Sequence, residues 1–171
     1  MFKNHLVLIG MPASGKTTLA LALSSLTSLP FLDGDQEIER RTGERLETLI
    51  SRLGIDGFLK LEEETLLALD LSRCVFSPGG SAVYSQKAMA HVTDGAFTLC
   101  LDAPLTVLEK RMGDPVARGV IMRPGQTLED LYLEREPLYH AYADLILSTG
   151  DHTVPELVHE LLPRLRDLGL A

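Results

Sequence analysis

The sequence predicts an α/β fold: a parallel sheet with helices on both faces. Two observations carry this reading. Short apolar runs alternate with segments of helical periodicity, and each parallel crossover needs a helix-length connection of that kind. A glycine-rich motif, GMPASGKTT, stands between the first apolar run and the first helical segment. With 171 residues, 45% hydrophobic and 23% charged, the chain suits one domain, 1–171, with a substantial core.

Taken in order, residues 5–9 are apolar enough for a strand buried on both faces, and a helix is expected over 16–27. A short strand over 31–33 runs into Asp33, Gly34 and Asp35, followed by helices over 35–41, 46–53 and 56–71. In the last of these, GFLKLEEETL places Phe58, Leu61 and Leu66 toward a core and leaves Lys60, Glu63 and Glu64 for solvent. Strands over 74–77 and 96–102 flank a helix over 85–91, and a helix over 104–112 follows. Cys74 and Cys100 lie inside apolar runs and are read as buried free thiols.

Residues 113–126 are irregular, with three glycines, two prolines and two arginines; a loop this long in a compact domain is functional or mobile, and a lid is expected over 113–125. A helix over 127–143, a strand over 144–148 and a terminal helix over 155–168 complete the chain. The terminal helix carries an apolar stripe for the sheet, and Pro163 is expected to kink or split it.

A net charge of −8 argues against a nucleic-acid partner, because binders of the phosphate backbone gather lysine and arginine on one face. No run reaches the roughly 18 apolar residues of a membrane span, and the N-terminal stretch lacks the apolar region of a signal peptide. A cytoplasmic monomer without membrane or nucleic-acid partners is expected. The five histidines, His5, His91, His140, His152 and His159, are scattered without a ligand pattern, so no zinc site is expected.

The motif fits G-x-x-x-x-G-K-[ST] through Gly10, Gly15, Lys16 and Thr17, after a strand and at the start of a helix, the context the motif requires. Glycines let the backbone turn its N–H groups inward, and the helix N-terminus adds partial positive charge, so a polyphosphate is cradled. The nucleotide-binding set is Gly10, Ala13, Ser14, Gly15, Lys16, Thr17 and Thr18. Lys16 is expected at the β/γ-phosphates of a bound nucleotide and the Thr17 hydroxyl on Mg²⁺. Asp33 and Asp35 stand where the second strand ends, near this loop, because ligands of open parallel sheets bind beyond the carboxyl ends of the strands. By residue type alone they could instead form a turn and a cap, with Asp35 as N-cap and Glu37 in the first turn.

The phosphate loop, PFLDGDQEIERRTG, GFLKLE, PGGSAV, LDAP, an arginine-bearing loop and LEREPLY occur in an order and spacing that resemble the shikimate kinase family. That resemblance implies a three-layer P-loop fold with a five-stranded parallel sheet of order 2-3-1-4-5. It implies transfer of the ATP γ-phosphoryl group to a hydroxyl of a small carboxylate-bearing metabolite, shikimate giving shikimate 3-phosphate, as a step of amino-acid biosynthesis. By position, Asp33 resembles the acid that helps hold Mg²⁺, and Asp35 the carboxylate that bonds the acceptor hydroxyl and takes its proton. Arg111 resembles the arginine that packs on adenine, and Arg118 the lid arginine over the γ-phosphate, with Arg123 a competing candidate. Arg135 resembles the arginine that grips the substrate carboxylate, and Gly79 and Gly80 belong to a triplet that substrate approaches.

The chain departs from this pattern in three places. Ser81 replaces the last glycine of the triplet, which is mild if its torsion is ordinary, and its hydroxyl could add a contact. Gly119, Val120 and Ile121 stand where Pro-Leu-Leu usually follows the lid arginine. Leu59 replaces a carboxylate-binding arginine whose usual partner is the acid at Glu62. Lys60 is an imperfect substitute, since one residue along a helix turns a side chain by about 100°. Glu62 without its partner could receive an ammonium group, so a hydroxy amino acid such as homoserine is the alternative acceptor. A nucleotide-binding regulatory protein without transfer activity is the alternative of another class.

Overall fold

The computed structural model describes residues 3–115, 118–150 and 152–171. Five parallel strands, β1 (His5–Gly10), β2 (Phe31–Asp33), β3 (Val75–Ser77), β4 (Ala96–Asp102) and β5 (Leu145–Ser148), lie in the order β2-β3-β1-β4-β5. This is the order expected from the resemblance. The helices are α1 (Lys16–Thr27), α2 (Gly34–Thr42), α3 (Leu46–Leu67), α4 (Gln86–Thr93), α5 (Leu105–Met112), α6 (Leu128–Tyr142) and α7 (Val154–Asp167).

Alternation along β1 explains the three layers. Val7 and Ile9 join Phe76, Cys100, Leu66, Met89 and Leu131 on one face, whereas Leu6 and Leu8 join Leu99, Leu19, Leu23, Leu161 and Leu165 on the other. All six β1 residues are buried, as a central parallel strand requires. Both cysteines are free and buried. A third cluster of Ile38, Leu46, Leu49, Phe58 and Ile121 ties α2 and α3 to the segment before α6.

Several expectations change in detail. The two helices expected over 46–53 and 56–71 abut as one element, broken at Gly54, whose φ of 69° and ψ of 176° are not helical. That element ends at Leu67 rather than 71, because Asp70 turns the chain by accepting from the Ser72 N–H at 2.9 Å and Leu71 drops into the core. The cap of α2 is Asp33, not Asp35: the Asp33 side chain accepts from the N–H groups of Asp35 and Gln36. Glu63, expected in solvent, is half-buried and accepts a short hydrogen bond from Ser85 Oγ, which also caps α4. Pro163 does not split α7, which presents Leu157, Leu161 and Leu165 to the sheet. A 3₁₀ turn over Ala82–Tyr84 had no counterpart in the sequence reading. Among the described residues, no helix is long and apolar enough to cross a membrane.

Candidate active site

The loop between β1 and α1 is shaped by backbone torsions that few residues accept. Gly10 has φ of 141°, and a Cβ there would lie 2.5 Å from the Leu101 carbonyl oxygen on β4. Ala13 and Gly15 also take positive φ, 67° and 100°, so three of the loop's residues turn in the sense that favours glycine. Lys16 Nζ donates to the carbonyls of Gly10 and Met11 at 2.9 and 2.8 Å. Burial pulls its ammonium down to about 8, against the opposing pull of Asp35 and Asp33. Ser14 Oγ is buried without a hydrogen-bond partner among the described residues. A half-buried cation and an orphaned hydroxyl beside a helix N-terminus fit the phosphates of ATP.

Two clefts meet at this loop. One, of about 460 Å³, runs from Gly15 and Thr18 to Arg111, Thr149 and His152. The other, of about 340 Å³, is lined by Asp33, Asp35, Phe58, Gly80, Ser81 and Arg135 among others. Ala13, Lys16, Thr17 and Arg118 line both. Thr17 thus stands on the boundary of the two clefts and Asp33 in the smaller one, and their hydroxyl and carboxylate oxygens suit Mg²⁺.

The acidic residues differ sharply in environment. Asp35 follows the Asp33 cap and its carboxyl is pushed up to about 6, by burial first and by Asp33 next, with Lys16 opposing. Glu62 is only 2% exposed, and burial holds its carboxyl up at about 8, against a bond from Ser81. Its Oε1 is buried with no hydrogen-bond partner among the described residues. Both acids crowd Gly79, where a Cβ would lie 2.5 Å from Asp35 Oδ1 and 2.6 Å from Glu62 Oε1. Asp35 ionises first, and its charge then helps Glu62 keep its proton. Burial thus favours the protonated form of Glu62, whereas the expectation from sequence was a carboxylate open to an ammonium group.

Arg135 is 1% exposed and belongs to the middle of α6. Its Nε donates to Tyr84 Oη at 3.0 Å, its Nη2 donates to the Ile121 carbonyl at 2.8 Å, and its Cζ lies 5.0 Å from the Tyr84 ring centre. Burial works against its charge, but Tyr139 and Tyr84 more than offset this and its pKa is raised. Tyr139 in turn donates to the Gly80 carbonyl at 2.7 Å. Ser81 has an ordinary φ of −86°, so its replacement of glycine is mild, and its hydroxyl serves Glu62.

The remaining candidates are placed as follows. Arg118 lies on the boundary of the two clefts, whereas Arg123 is exposed in a turn whose N–H donates to Gln126 Oε1 at 3.0 Å. Gly119 has φ of 66°, a torsion closed to the proline usual there, and a Cβ would lie 2.9 Å from Leu46 Cβ. Part of the lid, Val116 and Ala117, falls outside the described residues. Leu59 does not line the Asp35 cleft but a separate hollow of about 210 Å³ with Tyr84 and Glu62; Lys60, also there, is exposed. Phe58, Leu46 and Tyr84 enter the site's surroundings without having been singled out; helical periodicity marks Phe58 as buried but cannot say against what. His140 does gather with Asp102 and Glu136, one ligand atom from each lying within 4.8 Å of the others, so the histidines are less scattered than their spacing suggests.

A cleft made for polyphosphate that opens into a smaller polar cleft defines an ATP-dependent small-molecule kinase of the P-loop class. The family model for shikimate kinase matches residues 12–166. Among curated relatives, a shikimate kinase of Thermobifida fusca is 35% identical over 160 residues, covering 92% of each chain. Shikimate kinase from Acinetobacter baumannii, solved in complex with shikimate, superposes with a TM-score of 0.83 at 25% identity, over 99% of this chain and 96% of that one. The enzyme of Aquifex aeolicus gives a TM-score of 0.81 at 30% identity, over 97% and 98% of the two chains. The chain belongs to the shikimate kinase family.

Proposed function

We propose that this chain transfers the γ-phosphoryl group of ATP to a hydroxyl of shikimate, giving shikimate 3-phosphate. The observation that carries the reading is the pairing of Asp35 and Arg135 in one cleft that shares Lys16 and Thr17 with the nucleotide cleft. Family membership supports the substrate. A carboxyl held near 6 is largely ionised at neutral pH yet basic enough to take the acceptor hydroxyl's proton as the new P–O bond forms. Arg135 grips the substrate carboxylate, with Gly79 and Gly80 keeping the backbone low beneath the ring. Lys16 leaves its loop carbonyls for the phosphates, where anionic charge restores its proton affinity, and Arg118 stabilises the transferring charge from the boundary. Arg111 packs on the adenine. Thr17 and Asp33 hold Mg²⁺, which supplies charge neutralisation on the phosphates.

The family does not favour the homoserine alternative or a regulatory protein without activity. A single 1–171 domain, a lid near 113–125, a monomeric state, a cytoplasmic location and the absence of a nucleic-acid partner complete the proposal. A coupled ADP-release assay with MgATP over shikimate, quinate, homoserine, serine and gluconate tests it. Shikimate is expected to be the best acceptor; homoserine as best acceptor, or none turned over, overturns it.

A further inference from the structure

We infer that Tyr84 is a positioning residue that fixes Arg135 and so lets one arginine serve the acceptor carboxylate alone. The inference rests on the proposed role of Arg135. Leu59 carries no charge, and neither Leu59 nor Lys60 lines the Asp35 cleft, so neither offers the carboxylate a cation there. A lone guanidinium loses grip if it can rotate, because bidentate binding needs one fixed edge.

The geometry around Arg135 supplies that restraint. Nε and Nη2 share one edge of the guanidinium, and both are committed to the protein: Nε to Tyr84 Oη and Nη2 to the Ile121 carbonyl. The Tyr84 ring lies against the cation at 5.0 Å, so the same side chain sets both an edge and a face. Nη1 lies over Gly80, where an added Cβ would come within 3.1 Å of it. Tyr139 also bonds the guanidinium and donates to the Gly80 carbonyl, so the side chain that lines the cleft is held from a further direction. Tyr84 is itself held. Its hydroxyl accepts from Arg135 and bonds to Glu134, whose Oε2 accepts from Gln126 Nε2 at 2.8 Å. The 3₁₀ turn directly after Gly79, Gly80 and Ser81 brings Tyr84 to this point.

The test is a set of variants in the full chain: Tyr84→Phe, Arg135→Lys and the double variant, with shikimate and MgATP. Phenylalanine keeps the ring and loses the hydroxyl; lysine keeps a charge but has no Nε–H to donate to that hydroxyl. Tyr84→Phe is expected to raise the KM for shikimate about 10- to 150-fold, the worth of one charge-assisted hydrogen bond, with kcat and the KM for ATP within about twofold. On the Arg135→Lys background the same change is expected to have no further effect on KM. An unchanged KM in Tyr84→Phe, a loss confined to kcat, or an equal loss on the lysine background overturns the inference while leaving the arginine's role standing. A normal KM in Arg135→Lys, or no turnover of shikimate by the unaltered chain, overturns both. Unchanged nucleotide affinity in each variant establishes that it is folded.

Discussion

Replacing Glu62 by glutamine isolates the cost of burying an acid in this site. The folded chain holds the Glu62 proton up to about pH 8, whereas an unfolded chain releases it near 4.5. Between those values the folded state binds more protons than the unfolded one, so stability falls as pH rises. At 1.36 kcal/mol per pKa unit, the loss attributable to Glu62 between pH 5 and 8 works out at about 3 kcal/mol. Glutamine has the same shape and no proton to lose. Glu62→Gln is therefore expected to match the unaltered protein near pH 5 and to exceed it by about 3 kcal/mol at pH 8. Asp35 acts in the same sense but is largely titrated by pH 7, since its folded value is about 6. Urea unfolding monitored by circular dichroism at half-unit steps from pH 5 to 8.5 reads the difference. Parallel stability curves above pH 6.5 refute the buried neutral acid.

Two further outcomes follow from the same pair of carboxyls. Because Asp35 must be ionised to accept a proton, kcat/KM for shikimate is expected to fall about tenfold per pH unit below about 6, the value of its carboxyl in the free enzyme; a profile flat down to pH 5 contradicts the assignment. Gly79→Ala puts a methyl carbon where Asp35 Oδ1 and Glu62 Oε1 approach to 2.5 and 2.6 Å. It is expected to lower kcat/KM by about 100-fold through displacement of the base, with ATP affinity intact. A near-normal kcat/KM would show that the acid pair can move aside without consequence.

What was legible in the sequence follows from the range of the interactions involved. Strands β2 and β4 and helix α1 fall where apolar runs and start signals put them, because a buried parallel strand and an amphipathic helix each impress their own period on a few adjacent residues. The phosphate loop was legible for a similar reason, since Gly10, Gly15, Lys16 and Thr17 lie within eight consecutive residues and spacing alone constrains them. The cap of α2 lies two residues before the one considered from sequence because Asp33 and Asp35 are both good caps, and only the backbone decides which one is extended. Glu62 was legible only in part: period 3.6 places it on the face of Phe58 and Leu66, but its burial depends on neighbours such as Asp35 and Ser81 that lie far from it in the chain. Tyr84 was invisible. Its meaning depends on Arg135, 51 residues away, and no local pattern connects a 3₁₀ turn to the middle of α6.

The most direct measurement is a rapid-quench single turnover with γ-labelled ATP, Mg²⁺ and shikimate, comparing the unaltered protein with Asp35→Asn. The expected result is transfer of label to shikimate by the former, and a rate at least about 100-fold lower in the latter, as loss of a general base requires, with nucleotide affinity unchanged. Label transferred by Asp35→Asn at the unaltered rate, or not reaching shikimate in either protein, contradicts it.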